Sequence, residues 1–317
     1  MRILANDGIH PSGKEQLEKA GFIVETQKIE QEDLKDGLKN YHVILVRSAT
    51  KVTADIINAN PQLKIIGRAG VGLDNIDLKA AENRGVKVIN TPAASSRSVA
   101  ELAFGHMLNL ARFVHLSNRE MPENGTTDFK KLKKNYSAGT ELYGKNLGII
   151  GLGRIGREAA RIGLGLGMTV LPVDPFVNKS EIDVDIYSGN LQKIKVSLDT
   201  VELDDMLTNA DFITIHVPST KEPIIGTEQF KKLKKGVILI NSSRGGAISE
   251  DFLLEALENG SVAGAGLDVF VGEPKPRAEL VNHPRISVTP HIGASTSEAQ
   301  RRIGEELADQ IIDFFSS

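Results

Sequence analysis

Residues 151–156 read Gly-Leu-Gly-Arg-Ile-Gly, set between an apolar strand-like run at 147–150 and a helix-like run at 157–164. Few motifs restrict a fold more, because each glycine has a separate mechanical task. Gly151 makes the tight turn, Gly153 lets a pyrophosphate approach the backbone, and Gly156 lets the helix lie against the strand. Unpaired N–H groups at the helix start, where Arg154 and Ile155 stand, then hold the phosphates. A second apolar run, 168–173, ends at Asp174, close to the roughly 20 residues at which a ribose-binding acid follows the last glycine. A carboxylate there repels a 2′-phosphate, so the expected cofactor is NAD and not NADP.

At 317 residues the chain is long enough for about two domains, and 40% hydrophobic with 25% charged residues is ordinary for a globular protein with a sizeable core. A net charge of −3 gives no overall field to attract nucleic acid or an anionic membrane, so any anion site has to be local. With no cysteine, disulfides, thiolate nucleophiles and Cys-bound zinc are excluded, and a reducing cytoplasm suits the chain. The first 14 residues include Arg2, Asp7 and Lys14 and no long apolar segment, so neither a signal peptide nor a membrane span is expected. The seven histidines include no paired ligand spacing, so no metal is expected.

Short β-branched runs at 3–4, 22–24, 43–46, 64–66 and 86–89 alternate with helix-like segments, which argues a parallel sheet. Ser12 with Glu15 reads as a capping box, and Gly21 as the stop of the same helix. This first unit, which lacks a dinucleotide fingerprint, is expected to end near Arg97. Ser98 with Glu101 reads as a second capping box, opening a run at 99–113 whose apolar residues nearly encircle the helix and so have to be buried. The polar stretch 118–135, with Lys130, Lys131, Lys133 and Lys134, reads as a solvated surface loop. Strand-like runs at 212–215, 237–240, 263–269 and 286–288 complete the dinucleotide-binding sheet, and helical spacing at 297–315 gives a last helix that returns to the first domain. The fold class is therefore α/β: two doubly wound parallel-sheet domains, a Rossmann NAD-binding domain at 98–291 inserted into a flavodoxin-like substrate domain formed by 1–97 and 292–317. The active site is expected in the cleft between them.

Ligands of open α/β sheets bind beyond the carboxyl ends of the strands, so polar residues just after strand-like runs carry the weight. Arg244 lies in Asn241-Ser242-Ser243-Arg244-Gly245-Gly246, Glu273 in Asp268-Val269-Phe270-Val271-Gly272-Glu273-Pro274, and His291 in Thr289-Pro290-His291-Ile292-Gly293. Interconverting a 2-keto and a 2-hydroxy acid needs a cation for the carboxylate and keto oxygen, a proton donor for the developing alkoxide, and a nicotinamide. A guanidinium holds a carboxylate with a planar pair of hydrogen bonds, which suits Arg244. A histidine with a carboxylate partner, here Glu273, keeps a proton available. Taken singly, each also fits a bland role: surface ion pair, turn carboxylate, strand-end histidine. His216, after 212–215, lies near the cofactor or is structural.

Fingerprint, arginine, Glu-Pro and Pro-His in this order resemble the NAD-dependent D-2-hydroxyacid dehydrogenases over nearly the whole chain. Residues 46–53, 67–75, 139–142 and 290–296 are similar to the branch of that family acting on D-3-phosphoglycerate. The resemblance implies oxidation of 3-phosphoglycerate to 3-phosphohydroxypyruvate, the first step of serine biosynthesis. It makes Arg244, Glu273 and His291 catalytic, puts Asp268 near the nicotinamide, and gives the substrate carboxylate to the backbone of Ala69, Gly70 and Val71. Arg47 and Arg68, each ending a strand-like run, are the candidates for a phosphate, with Lys133 or Lys134 as a third cation. It also implies a homodimer through the fingerprint domains, with the helix from Ser98 taking part. Three positions depart from the pattern: Ser95 replaces an asparagine common in relatives, Phe129 stands where the branch often has tryptophan, and the chain stops at Ser317 without room for the regulatory domains of some relatives. The expected partner is a small phosphorylated 2-hydroxy or 2-keto acid, with no nucleic acid and no membrane. Two rivals remain: a reductase of glyoxylate, hydroxypyruvate or another unphosphorylated 2-keto acid, and an NAD-sensing corepressor-like binding protein, which the fold alone permits.

Overall fold

Strands β1 (Arg2–Ala5), β2 (Ile23–Glu25), β3 (Val43–Val46), β4 (Ile65–Arg68) and β5 (Lys87–Asn90) form an all-parallel sheet in the order β2-β1-β3-β4-β5. Ile3, Leu4, Ile44, Leu45, Ile65 and Ile66 are buried whichever way they point, as a parallel sheet covered on both faces requires. The computed structural model describes residues 1–316. The chain divides into one unit made of Met1–Ser98 and the C-terminal segment from Ala294, and a second, Val99–Gly293. Among the described residues no helix is long and apolar enough to cross a membrane.

In the first unit the helix Pro11–Lys19 packs on the helix Ser297–Ser316. They meet at glycine: a Cβ on Gly13 would lie 2.3 Å from the Gly304 carbonyl oxygen. The N-terminus of the first helix differs from the capping box expected of Ser12 and Glu15. His10 is the cap residue, its Nδ1 accepting from the Ser12 N–H at 3.3 Å, and Pro11 occupies the first turn, where its missing N–H costs nothing.

The second unit carries β6 (Asn146–Ile150), β7 (Thr169–Val173), a hairpin of β8 (Lys179–Ser188) and β9 (Asn190–Asp199), β10 (Phe212–Ile215), β11 (Val237–Asn241), β12 (Val262–Leu267) and β13 (Ile286–Val288). Its parallel sheet runs β13-β12-β11-β10-β6-β7. The hairpin is absent from the reading above. One face of it presents Ile182, Val184 and Leu198 to the cluster that contains Ala159, Ala160 and Val170, and the other carries ion pairs such as Glu181–Lys195.

Three further expectations are corrected. The helix Ser96–Ala111 starts before Ser98, whose hydroxyl pairs with Thr296 at 2.9 Å and does not cap the helix. Nor is the helix buried all round, since Glu101, Gly105 and Leu108 are exposed at helical spacing. Most of the stretch 118–135 is helical, Val114–Asn124 and then Phe129–Asn135 with a turn between them, and Leu132 is the buried anchor of the second helix.

Gly13→Ala forces two helix backbones apart, so unfolding should become easier by about 1–3 kcal/mol. Gly105→Ala, in an exposed helical position with open space around it, should be stabilising by about 0.5–1 kcal/mol. Denaturant unfolding of both variants checks the pair; equal effects would contradict this packing.

Candidate active site

The chain passes from β6 to β7 on one side and later to β10 on the other, so the carboxyl end of β6 is the switch point at which such sheets bind ligands. Gly151 stands there with φ 93°. A Cβ on it would lie 2.4 Å from the His216 carbonyl oxygen, and one on Gly156 would lie 1.9 Å from that of Gly151. Neither position admits a side chain. Gly153 differs: it is exposed, a Cβ would meet nothing within 4 Å, and it caps the helix Arg154–Gly165 without a side-chain hydrogen bond. Open space thus faces the first-turn N–H groups, with Arg154 exposed beside them, as a pyrophosphate needs.

Asp174 follows β7 and is held in place by two backbone donors. Its Oδ2 accepts from Leu152 N–H at 2.7 Å and its Oδ1 from Phe176 N–H at 2.8 Å. Each carboxylate oxygen keeps a lone pair for a ribose hydroxyl. His216 is half-buried, with Nε2 at 3.0 Å from the Thr214 hydroxyl and Nδ1 enclosed without a partner. Burial alone drives its pKa down to about 4, so the ring is neutral at pH 7.

Arg244, Glu273 and His291 line one open pocket. The Glu273 carboxylate bridges two elements: Oε1 accepts from Phe270 N–H at 2.9 Å, and Oε2 lies 2.8 Å from His291 Nδ1. With Nδ1 engaged, Nε2 is the ring nitrogen left for proton transfer. His291 has φ 55°, a conformation uncommon for a side-chain-bearing residue, and Asp268 secures the segment behind it. Asp268 is 1% exposed, and its carboxylate accepts from the Ile292 and Gly293 N–H groups at 2.8 and 2.9 Å and from the Thr289 hydroxyl at 2.6 Å. The resemblance places this residue near the nicotinamide, and its carboxylate holds the turn that follows His291. Arg244 is brought to Glu273 by a glycine, since a Cβ on Gly245 would lie 2.1 Å from the Phe270 carbonyl oxygen. Asn241 completes the loop by donating to the Arg244 carbonyl at 2.8 Å and accepting from the Ser243 hydroxyl at 2.8 Å. Sequence reasoning missed Asn241, although a polar residue ending an apolar strand was the available signal.

In the first unit Arg47 follows β3 at the corresponding switch point, where β1 is flanked by β2 and β3. Asp7 accepts from the Arg47 N–H at 2.6 Å and the Thr50 hydroxyl at 2.7 Å, and Asn75 donates to the carbonyls of Arg47 and Thr50 at 2.7 and 2.6 Å. The Arg47 guanidinium donates to Gln300, while its Nε is buried with no partner. Arg68 ends β4, in register with Val46, and donates to the Ala69 carbonyl at 3.0 Å. The three amides expected to receive a carboxylate are not equivalent. Those of Ala69 and Gly70 bond to the carbonyls of Val46 and Arg68 at 2.8 and 2.9 Å, which narrows the expectation to Val71. Ser95 is buried with its hydroxyl unpaired, and Lys133 and Lys134 are exposed on a helix.

A glycine turn at a switch point, an acid beyond the next strand and a carboxylate-paired histidine define a dinucleotide-binding oxidoreductase architecture. Residues 104–293 match the family described as D-isomer specific 2-hydroxyacid dehydrogenase, NAD binding domain, and the chain belongs to this family, with NAD as its cofactor. It is 44% identical over 316 residues to a hydroxypyruvate reductase of Thermotoga maritima, covering 98% of this chain and 97% of that protein. It is 42% identical over 315 residues to D-3-phosphoglycerate dehydrogenase of Bacillus subtilis, covering 99% of this chain. The chain spans 57% of the length of that relative. A structure of NAD+-bound 3-phosphoglycerate dehydrogenase from Entamoeba histolytica superposes with a TM-score of 0.78 at 28% identity, covering 100% of this chain and 96% of that one.

Gly156→Ala should open the phosphate turn and weaken NADH at least about tenfold, or roughly 1.4 kcal/mol, in a fluorescence titration. His216 makes stability depend on pH. Its unfolded pKa is near 6.5 and its folded pKa about 4, so the unfolded chain binds more protons between the two values. This contribution is complete above pH 6.5 and is lost as the pH falls toward 4, amounting to about 2 kcal/mol at pH 5. His216→Gln should accordingly lose less apparent melting temperature between pH 7 and pH 5 than the parent chain, and parallel curves would refute the assignment.

Proposed function

We propose that this chain oxidises D-3-phosphoglycerate to 3-phosphohydroxypyruvate, the step that commits carbon to serine. The observation that carries the reading is the His291–Glu273 pair at 2.8 Å, set in one pocket with Arg244. NAD supplies the acceptor for the hydride that leaves C2 of the hydroxy acid. His291 Nε2 takes the hydroxyl proton as the C–O bond becomes a carbonyl, and Glu273 stabilises the imidazolium so formed. Arg244 holds the carboxylate and the oxygen that bears charge in the transition state. In the reverse direction the same imidazolium returns the proton.

Arg47 and Arg68 take the substrate phosphate in this reading, and Val71 N–H the carboxylate. Support comes from the position of Arg47 at a switch point, its loop clamped by Asp7 and Asn75, with a buried Nε that lacks a partner. A dianion satisfies such a group. The names of the Bacillus and Entamoeba proteins agree with a phosphorylated substrate. The name of the Thermotoga protein, which the chain matches over 97% of its length, favours hydroxypyruvate as a second reading. A homodimer belongs to the same proposal and is supported by the apolar residues Leu108, Val114, Met121 and Phe129, all exposed on consecutive helices.

Comparing kcat/KM with NADH for 3-phosphohydroxypyruvate, hydroxypyruvate and glyoxylate separates the readings. Arg47→Ala should weaken the phosphorylated substrate by about 1.5–3 kcal/mol and leave hydroxypyruvate nearly unchanged. Equal losses on both would remove Arg47 from the phosphate site. His291→Gln should lower kcat by about 10²- to 10⁴-fold with NADH binding intact, and undiminished turnover would exclude it from proton transfer.

A further inference from the structure

The helix Ser96–Ala111 brings one polar side chain into the sheet, and the function proposed above does not use it. His106 is 2% exposed and packs on β12, where a Cβ on Gly266 would lie 2.5 Å from the His106 Cβ. Only a glycine in that strand admits the imidazole. Its Nδ1 lies 2.8 Å from the Ser287 hydroxyl and its Nε2 lies 3.0 Å from the Thr289 hydroxyl.

The directions of these bonds follow from donor and acceptor counting. The Thr289 hydroxyl has a single hydrogen, which it donates to Asp268 Oδ1 at 2.6 Å. Toward His106 it can therefore only accept, so Nε2 carries the hydrogen. Burial lowers the His106 pKa and leaves the ring neutral, so Nδ1 is bare and accepts from Ser287. Donation thus runs one way, from Ser287 to His106 to Thr289 to Asp268. Asp268 in turn accepts from the N–H groups of Ile292 and Gly293, the two residues that follow His291.

We propose that His106 is a positioning residue for the reaction: its Nε2–H fixes the Thr289 hydroxyl as a donor to Asp268, which grips the turn that sets His291. The proposal rests on the role assigned to His291. A buried chain of this kind has no slack, because each hydroxyl and ring nitrogen has one arrangement that satisfies its neighbours. Replacing the imidazole by an apolar group leaves Thr289 free to rotate away from the carboxylate. The turn then loses one of three restraints, and a small displacement of a reacting group is expensive in rate.

The tests use the whole 317-residue chain. Nitrogen-15 NMR of labelled histidines should show His106, identified by loss of its signal in His106→Gln, as the neutral Nε2–H form at pH 7. The Nδ1–H form would overturn the proposal. Hydrogen exchange at the Ile292 and Gly293 amides should quicken about tenfold in His106→Leu and in Thr289→Val, and return toward the parent rate in His106→Gln, whose amide restores the donor. Both damaging variants should lower kcat about 10- to 100-fold with the NADH dissociation constant unchanged, and the double variant should be no worse than either alone. Additive losses, unchanged exchange, or faster exchange with unaltered kcat would each overturn the relay. Should the parent chain turn over none of the 2-keto acids, the assignment of His291 fails by itself, and the tautomer and exchange results still judge the relay.

Discussion

Contact of backbone against backbone, possible only where a Cβ is missing, is the constraint on which the NAD-binding unit depends. Gly151 lies against the His216 carbonyl, Gly156 against that of Gly151, and Gly245 against that of Phe270. The first two contacts shape the phosphate turn and the third brings Arg244 to the pocket it shares with Glu273 and His291. A methyl group at any of the three would move polypeptide and not merely a side chain, which ties cofactor and catalytic geometry to the same covalent feature.

Loops beyond the strands are then fixed by short polar side chains at or just after strand ends. Asp7 after β1, Asp174 after β7, Asn241 at the end of β11 and Asp268 after β12 each accept backbone N–H groups or support a loop carbonyl. These bonds do in fixed form what water does for an open loop, so the residues meant for ligand need little reorganisation when ligand arrives. With a net charge of only −3, the chain depends on such local arrangements for its anion sites and not on a general field.

Most of the fold was legible because it is local. Runs of β-branched residues located all eleven strands of the two parallel sheets, since a strand buried on both faces has to be apolar throughout. The hairpin β8–β9 escaped although Ser188-Gly189-Asn190 separates two alternating runs, Gly189 having φ 82°. Its alternation is partly masked by charge, with Lys and Asp on one face and Ile and Val on the other. Lysines at 130–134 read as loop because four of the five positions are charged, yet one buried residue, Leu132, suffices to seat the helix. Caps were misread for a related reason: Ser12 and Ser98 are good cap residues by type, but their hydroxyls pair with His10 and Thr296.

What the sequence determined by itself is therefore the class of fold, the dinucleotide turn, the acid at 174 and the identity of the polar residues that follow the strands. Periodicity and fixed spacing are properties of neighbouring residues, and neighbours are known once the order is known. Only the tertiary structure decided which of those residues meet: that the expected pair of Glu273 and His291 closes at 2.8 Å, that Asp268 faces inward to its turn, and that His106 stands behind it. Partners 18 to 183 residues apart along the chain are chosen by the stacking of strands and helices, and no local pattern encodes that choice.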